Sequence, residues 1–251
     1  MAQAIISGLS DKSELMISGR DLKKTQATAK LLAVSAASSN AELALGCDFI
    51  VLAVKPQVVA SVLAEILPSL NQKKTLISIA AGIDLESLSA MTSPQQAIVR
   101  VMPNVNAAIQ QSTSAIVRNG QVSDADYQLI KSLFGQVGTV HEVAEHDFPV
   151  FSALAGSSPA YIYMFIDAMA RAGVLHGLSK ELATQVVAET VAASAENVLK
   201  SDVHPQALAD SVASPGGTTI EGIVALENHG FNAAVISAID ATIKKEETLS
   251  V

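Results

Sequence analysis

The chain has 251 residues, 49% of them apolar and 4% aromatic, and a formal net charge of −8. That is enough apolar material for one large domain or two modest ones, while an acidic balance with no basic run longer than Lys23-Lys24 argues against nucleic-acid binding, which draws its affinity from Lys and Arg. Cys47 stands alone, so neither an internal disulfide nor a Cys/His metal cluster is expected; the apolar runs fall short of the roughly 18 to 20 residues of a membrane span, the N-terminus lacks a secretory pattern, and a cytoplasmic protein without metal is expected.

The chain opens on a helical pattern, with Ala2, Ile5, Ile6 and Leu9 on one face and Gly8 and Ser10 closing it. Short apolar runs at Leu15–Ser18, Phe49–Val54, Thr75–Ala80, Ala97–Met102, Ser114–Val117 and Gly138–Glu142 predict strands. Lys23–Leu32, Gln57–Leu67, Leu85–Met91 and Ala125–Phe134 predict the helices between them. Such alternation, with strands too apolar to be half exposed, predicts a mostly parallel α/β sheet covered on both faces.

From about Glu145 the pattern becomes helical throughout. Pro159–Gly173, Lys180–Leu199, Pro205–Ser211, Thr219–His229 and Phe231–Leu249 predict helices, so the boundary is placed between a domain at 1–144 and an all-α domain at 145–251. The Lys180–Leu199 segment carries an apolar stripe with many small residues, which suits close packing between subunits. A homo-oligomer is expected.

Six segments could carry chemistry. "ASPGGTTIEG", from Ala213 to Gly222, places Gly216 and Gly217 before a helix and spaces Thr218 and Glu221 as a capping box; free amides there would also suit a carboxylate or phosphate. "LAGSSPAY", from Leu154 to Tyr161, reads as a second helix start, with Ser157 or Ser158 as cap and Pro159 at the first helical position. "LAVKPQ", "SIAAG" and "RVMPN" follow strand ends, where open α/β sheets bind ligands. Finally, Arg20 with Lys23 and Lys24 follows the Leu15–Ser18 strand, where a basic group favours the 2′-phosphate of NADP(H), although Asp21 beside it points toward NAD. The five histidines are scattered, and neither a nucleophile elbow nor a Walker sequence is present.

With "VKPQ", "RVMPN", "GSSPAY" and "VASPGGTTIEGIVALE" in order along nearly all of its length, the sequence resembles the pyrroline-5-carboxylate reductase family. The resemblance implies a Rossmann-like N-terminal domain and an all-α C-terminal dimerisation domain, in homodimers that can assemble further. It also implies reduction of 1-pyrroline-5-carboxylate to L-proline, the last step of proline synthesis, with NADPH or NADH. Carried over residue by residue, it implies that Ser214, Gly216, Gly217, Thr218 and Thr219 hold the substrate carboxylate, with the Thr219 hydroxyl facing the ring nitrogen as the catalytic group. Asp202 would contact the substrate amine through water. Met1, Ala2, Arg20, Ala53, Val54, Lys55, Pro56, Ala80, Ala81 and Asn104 would line the cofactor.

The sequence departs from the family pattern in four places. Val105 and Asn106 replace a usual Thr-Pro; Gln110 and Ser112 stand at glycine positions; Asp202 stands where Glu is common; Gly19 replaces a frequent Asn. Met1 and Ala2 match the last two positions of the G-x-G-x-M-A turn, so the first strand and both phosphate-loop glycines are expected to be missing from the middle of the sheet. Two other functions stay open at this point: a cofactor-impaired homologue acting as a binding or assembly protein, and a reductase of a related cyclic imine or a β-hydroxyacid.

Overall fold

Apolar runs in the first half become strands, and the amphipathic patterns between them become helices. The computed structural model describes residues 1–248 and divides into two units, 1–157 with the segment from Ile243 onward, and 158–242. The first unit runs α1 (Ala2–Gly8), β1 (Met16–Ile17), α2 (Leu22–Leu32), β2 (Ser35–Ala36), α3 (Asn40–Gly46), β3 (Phe49–Leu52), α4 (Pro56–Ile66), β4 (Thr75–Ser78), α5 (Leu85–Met91), β5 (Ala97–Met102), β6 (Ser112–Arg118), α6 (Asp124–Gly135), β7 (Gly138–Glu142) and α7 (Phe148–Phe151).

β3 to β7 form one sheet in chain order, parallel except for the antiparallel pair β5–β6, and β1 and β2 form a separate parallel pair. In the doubly wound order 3-2-1-4-5-6, β2 and β1 take positions 3 and 2, and β3, β4 and β5 take positions 4, 5 and 6. No strand among the described residues takes position 1. The expected interruption is therefore a break in the ladder between β1 and β3.

Side chains alternate across the five-stranded sheet, as the two-residue period of a strand requires. Ile50, Leu52, Leu76 and Ile98 pack on one face with Ala44, Val59, Leu63, Ile66 and Leu88 from α3, α4 and α5. Ile77, Ala97, Val99, Val101 and Ile116 pack on the other with Ile5 of α1 and Tyr127, Ile130 and Phe134 of α6. The strand expected at Ser114–Val117 extends to Ser112–Arg118, and two elements before β3 were not foreseen. β2 is only two exposed residues with no apolar pattern to find. α3 did announce itself: Ser39 accepts the Glu42 N–H at 3.1 Å, and the Glu42 carboxylate accepts the Ser38 N–H at 2.7 Å, a variation on the S-x-x-E capping box.

The second unit contains α8 (Ser158–Leu175), α9 (Lys180–Lys200), α10 (Pro205–Val212), α11 (Thr218–Asn228) and most of α12 (Phe231–Glu247). Leu249, included in the expected last helix, lies outside the described residues. α8 and α9 approach closely where Gly173 meets Ala183, a Cβ on Gly173 falling 3.0 Å from that of Ala183. Tyr161 and Thr242 hydroxyls pair at 2.5 Å, and the rings of Phe165 and Phe231 lie 6.1 Å apart. Among the described residues, no helix is long and apolar enough to cross a membrane.

The expected helix start at Pro159 is not there. Helical backbone begins at Phe148, passes through a π-helical segment at Ser152–Ser157 and continues into α8. Pro159 therefore lies inside helical structure, accommodated by a wider turn just before it, and Ser157 and Ser158 lie within that run rather than at a helix start. Phe148, Ser152 and Ala153 are buried, which carries the first unit past 144 to residue 157.

Gly138 opens β7 at φ +146°, and a Cβ there would run into the Ser112 backbone to which it pairs. Gly138→Ala is expected to destabilise the protein by at least about 2 kcal/mol, seen as a lower urea midpoint with an unchanged slope.

Candidate active site

Parallel pairing sets Leu52 of β3, Ser78 of β4 and Arg100 of β5 in one row. The segments that follow, Ala53–Pro56, Ala80–Ala81 and Asn104, consequently leave the sheet at a common edge, the carboxyl edge at which such sheets bind ligands. Ala53, Lys55 and Ala81 are exposed there, Val54 is half-buried and Ala80 is buried. Pro56 takes the first position of α4 and Lys55 the N-cap, without a side-chain cap bond. Met1, exposed, is the N-cap of α1, again without a side-chain bond, and Ala2 is half-buried behind it.

The end of β1 is tied to the same region. Ser18 donates to Asn40 at 2.7 Å, and Asn40 donates to Glu65 of α4 at 2.6 Å. Beyond Ser18 comes exposed Arg20, and Asp21 is consumed as the cap of α2, accepting the Lys24 N–H at 3.0 Å. Among the described residues, Arg20, Lys23 and Lys24 enter no ion pair.

Arg100, by contrast, is engaged within the protein. Its Nη1 donates to Glu145 Oε1 at 2.5 Å, its guanidinium lies 4.4 Å from the centroid of the Phe148 ring, and Glu145 Oε1 also accepts the Leu85 N–H at 2.7 Å. Next to it Asp84 caps α5, accepting the Ser87 N–H at 2.7 Å. Hydrogen bonds from Ser87 outweigh partial burial and, with help from the Arg100 charge, hold the Asp84 carboxyl below the usual range.

Asn104 is buried, and its polar groups are all used locally. Nδ2 donates to the Ala155 carbonyl at 3.0 Å, Oδ1 accepts the Asn106 N–H at 3.0 Å, and its own N–H is accepted by Ser112 Oγ at 3.1 Å. Ser112 Oγ lies in turn 2.9 Å from Ser114 Oγ. Nothing in the hydrophobic pattern signalled this cluster.

In the second unit, Ser214, Gly216, Gly217, Thr218 and Thr219 come together in a single turn leading into α11. Gly217 donates its N–H to the Ser214 carbonyl at 3.0 Å, and Gly216 sits at φ +66°, the left-handed region that glycine enters without strain. A Cβ on Gly217 would strike Ser214. The N-cap is Gly217 rather than Thr218, so the expected capping box does not form and no side chain caps α11. Its first amides are left for solvent or a ligand. Ser214, Thr218 and Thr219 are exposed around them, and Asp202 is exposed on a separate loop before α10.

A model of pyrroline-5-carboxylate reductase dimerisation matches residues 145–249, and one of NADP oxidoreductase, coenzyme F420-dependent, matches residues 1–82. The pyrroline-5-carboxylate reductase of Escherichia coli (strain K12) is 38% identical over 256 residues, covering 100% of this chain and 95% of that one. The chain belongs to the pyrroline-5-carboxylate reductase family. Two solved structures agree: Plasmodium falciparum pyrroline carboxylate reductase with NADP bound (TM-score 0.90, 36% identity, 100% of this chain and 93% of that one), and Streptococcus pyogenes 1-pyrroline-5-carboxylate reductase (TM-score 0.90, 42% identity, 99% and 95%).

Two departures from the pyrroline-5-carboxylate reductase pattern have a local account. Ser112, at a glycine position, supplies the hydroxyl that accepts the Asn104 N–H. Gln110, at the other, adopts φ 58° and ψ 31°, a left-handed conformation costing a non-glycine residue about 1 kcal/mol.

Because the Asp84 carboxyl is held below its unfolded value of 3.8, its contribution is complete above that value and is lost as pH falls through the folded one. Asp84→Ala is expected to cost about 1 kcal/mol at pH 7. Its effect on the unfolding midpoint should be constant at higher pH and shrink as the pH is taken progressively below 3.8.

Proposed function

We propose that the chain reduces 1-pyrroline-5-carboxylate to L-proline, with the Ser214–Thr219 turn as the substrate site. The observation that carries this is the uncapped start of α11. Helices α2, α3, α5, α6, α9 and α10 each have a side-chain cap, from Asp21, Ser39, Asp84, Ser123, Ser179 and His204. The starts of α1, α4, α7 and α11 have none; α7 follows directly on the helical turn at Glu145–Asp147, which leaves α1, α4 and α11. Those three are the helix starts that the family pattern assigns to ligands.

The substrate has one carboxylate and one cyclic imine. The amides of Thr218 and Thr219 at the positive end of α11 suit the carboxylate, and the Thr219 hydroxyl supports hydrogen bonding to the ring nitrogen, with Asp202 acting through water. A protonated imine is already electrophilic, so positioning contributes more than a strong protein base. A dihydronicotinamide cofactor supplies the hydride.

The residues present fit such a cofactor. Ala53, Val54, Ala80 and Ala81 offer small, unobtrusive side chains along the strand ends. Lys55 and Pro56 leave the first amides of α4 without a side-chain cap, and Met1 and Ala2 open the uncapped α1. With Asp21 occupied on Lys24 and Arg20 without an ion partner, the end of β1 favours the 2′-phosphate of NADPH over the free ribose of NADH. A homodimer, assembling further, accounts for the exposed Met164, Leu175, Leu199, Val212 and Ile236 in the second unit. The setting we propose is the cytoplasm.

Thr219→Val, which keeps the shape and removes the hydroxyl, is expected to lower kcat/KM for 1-pyrroline-5-carboxylate by about tenfold to a hundredfold with the melting temperature unchanged. Unaltered turnover would remove Thr219 from the mechanism, and no turnover by the unmodified chain would favour the binding-protein alternative. Arg20→Ala should raise the KM for NADPH about tenfold and that for NADH by less than about twofold, measured as paired titrations at fixed substrate.

A further inference from the structure

Pro159 has no N–H, so it cannot make the bond that an α-helical residue makes to the carbonyl four positions earlier. That carbonyl belongs to Ala155, in the π-helical segment at Ser152–Ser157. It receives the side-chain amide of Asn104 at 3.0 Å. We infer that Asn104 is a positioning residue, supplying from outside the helix a donor that Pro159 withholds, and thereby clamping the segment after β5 to the π-turn.

The rest of the Asn104 geometry fits a clamp. Its Oδ1 accepts the Asn106 N–H and so starts the 3-10 turn at Val105–Ile109, while its backbone N–H is accepted by Ser112 at the head of β6. One buried side chain thus joins the end of β5, the turn after it and the helical segment. A buried amide left unpartnered would be costly, and here both ends of the Asn104 amide are satisfied by the protein. The side chain consequently acts on the carboxyl edge through the placement of the 105–109 turn rather than through contact with the cofactor. Its kinetic role rests on the reductase function proposed above; the clamp itself does not.

The test is a double-mutant cycle. Pro159→Ala restores an N–H at 159, and alone should change kcat by less than about twofold. Asn104→Ala should lower the melting temperature by about 3 to 6 °C and reduce kcat about fivefold, with the KM for 1-pyrroline-5-carboxylate within about twofold. Asn104→Asp, which replaces the donor by a charged acceptor facing the Ala155 carbonyl, should do at least as much. In the Pro159→Ala background both losses from Asn104→Ala should fall to less than half, because Ala155 then has a backbone donor. Equal losses in the two backgrounds would overturn the clamp, as would a tenfold rise in the KM for NADPH with kcat intact, which marks a direct cofactor contact. Should Asn104→Ala yield no folded protein, folded double variant supports the clamp and unfolded double variant overturns it. If the unmodified chain shows no turnover, the reductase function fails, and the melting temperatures alone decide the clamp.

Discussion

Parallel hydrogen bonding from β3 through β4 to β5 is the constraint on which the cofactor edge depends. A parallel register leaves the carboxyl ends of successive strands together, so Leu52, Ser78 and Arg100 fall in one row and the segments after them emerge side by side. The reversal at β6 matters as much. Because β6 runs antiparallel to β5, its first residue, Ser112, begins where β5 ends and can bond to Asn104. An all-parallel sheet would put the start of β6 at the opposite edge.

Polar groups in the first unit divide into those that hold the scaffold and those left over. Arg100 and Glu145 look like binding residues in a list of charges, but each already has its partner, and Arg100 is also stacked on Phe148. Asp21 is spent on α2. Among the groups that remain unspent are Arg20 and the bare starts of α1 and α4, where the proposed cofactor site lies. The same subtraction in the second unit leaves the start of α11.

The helices and strands with strong periodicity were legible in the sequence, to the residue for β5 and α5, because burial leaves a pattern; β7, also legible to the residue, buries no residue. β2 left none: a two-residue parallel strand with both side chains exposed is defined by backbone pairing alone. The Ser157–Pro159 stretch was read as a helix start because proline favours that position; the burial of Phe148 and Ala153 held the preceding turn helical and overrode the preference. At the α11 turn, the glycines and the helix start were legible, but the expected capping box does not form, since Gly217 itself takes the cap position. Asn104 was legible as a member of the edge; the use of its side chain depends on a partner 51 residues away, which no local pattern encodes.

Among the described residues of the second unit, only Ala170, Ala183 and Val187 are buried, and all three come from α8 and α9. Helices α10 and α11 bury none of their residues, so the chain by itself provides them with little hydrophobic stabilisation. Their folding free energy must then come from whatever covers them. For a second copy of the chain, that makes the order of α11, and of the Ser214–Thr219 turn before it, a function of protein concentration through mass action. Dilution would then loosen that turn before it touched the sheet, coupling assembly to the order of α11 without any dedicated switch.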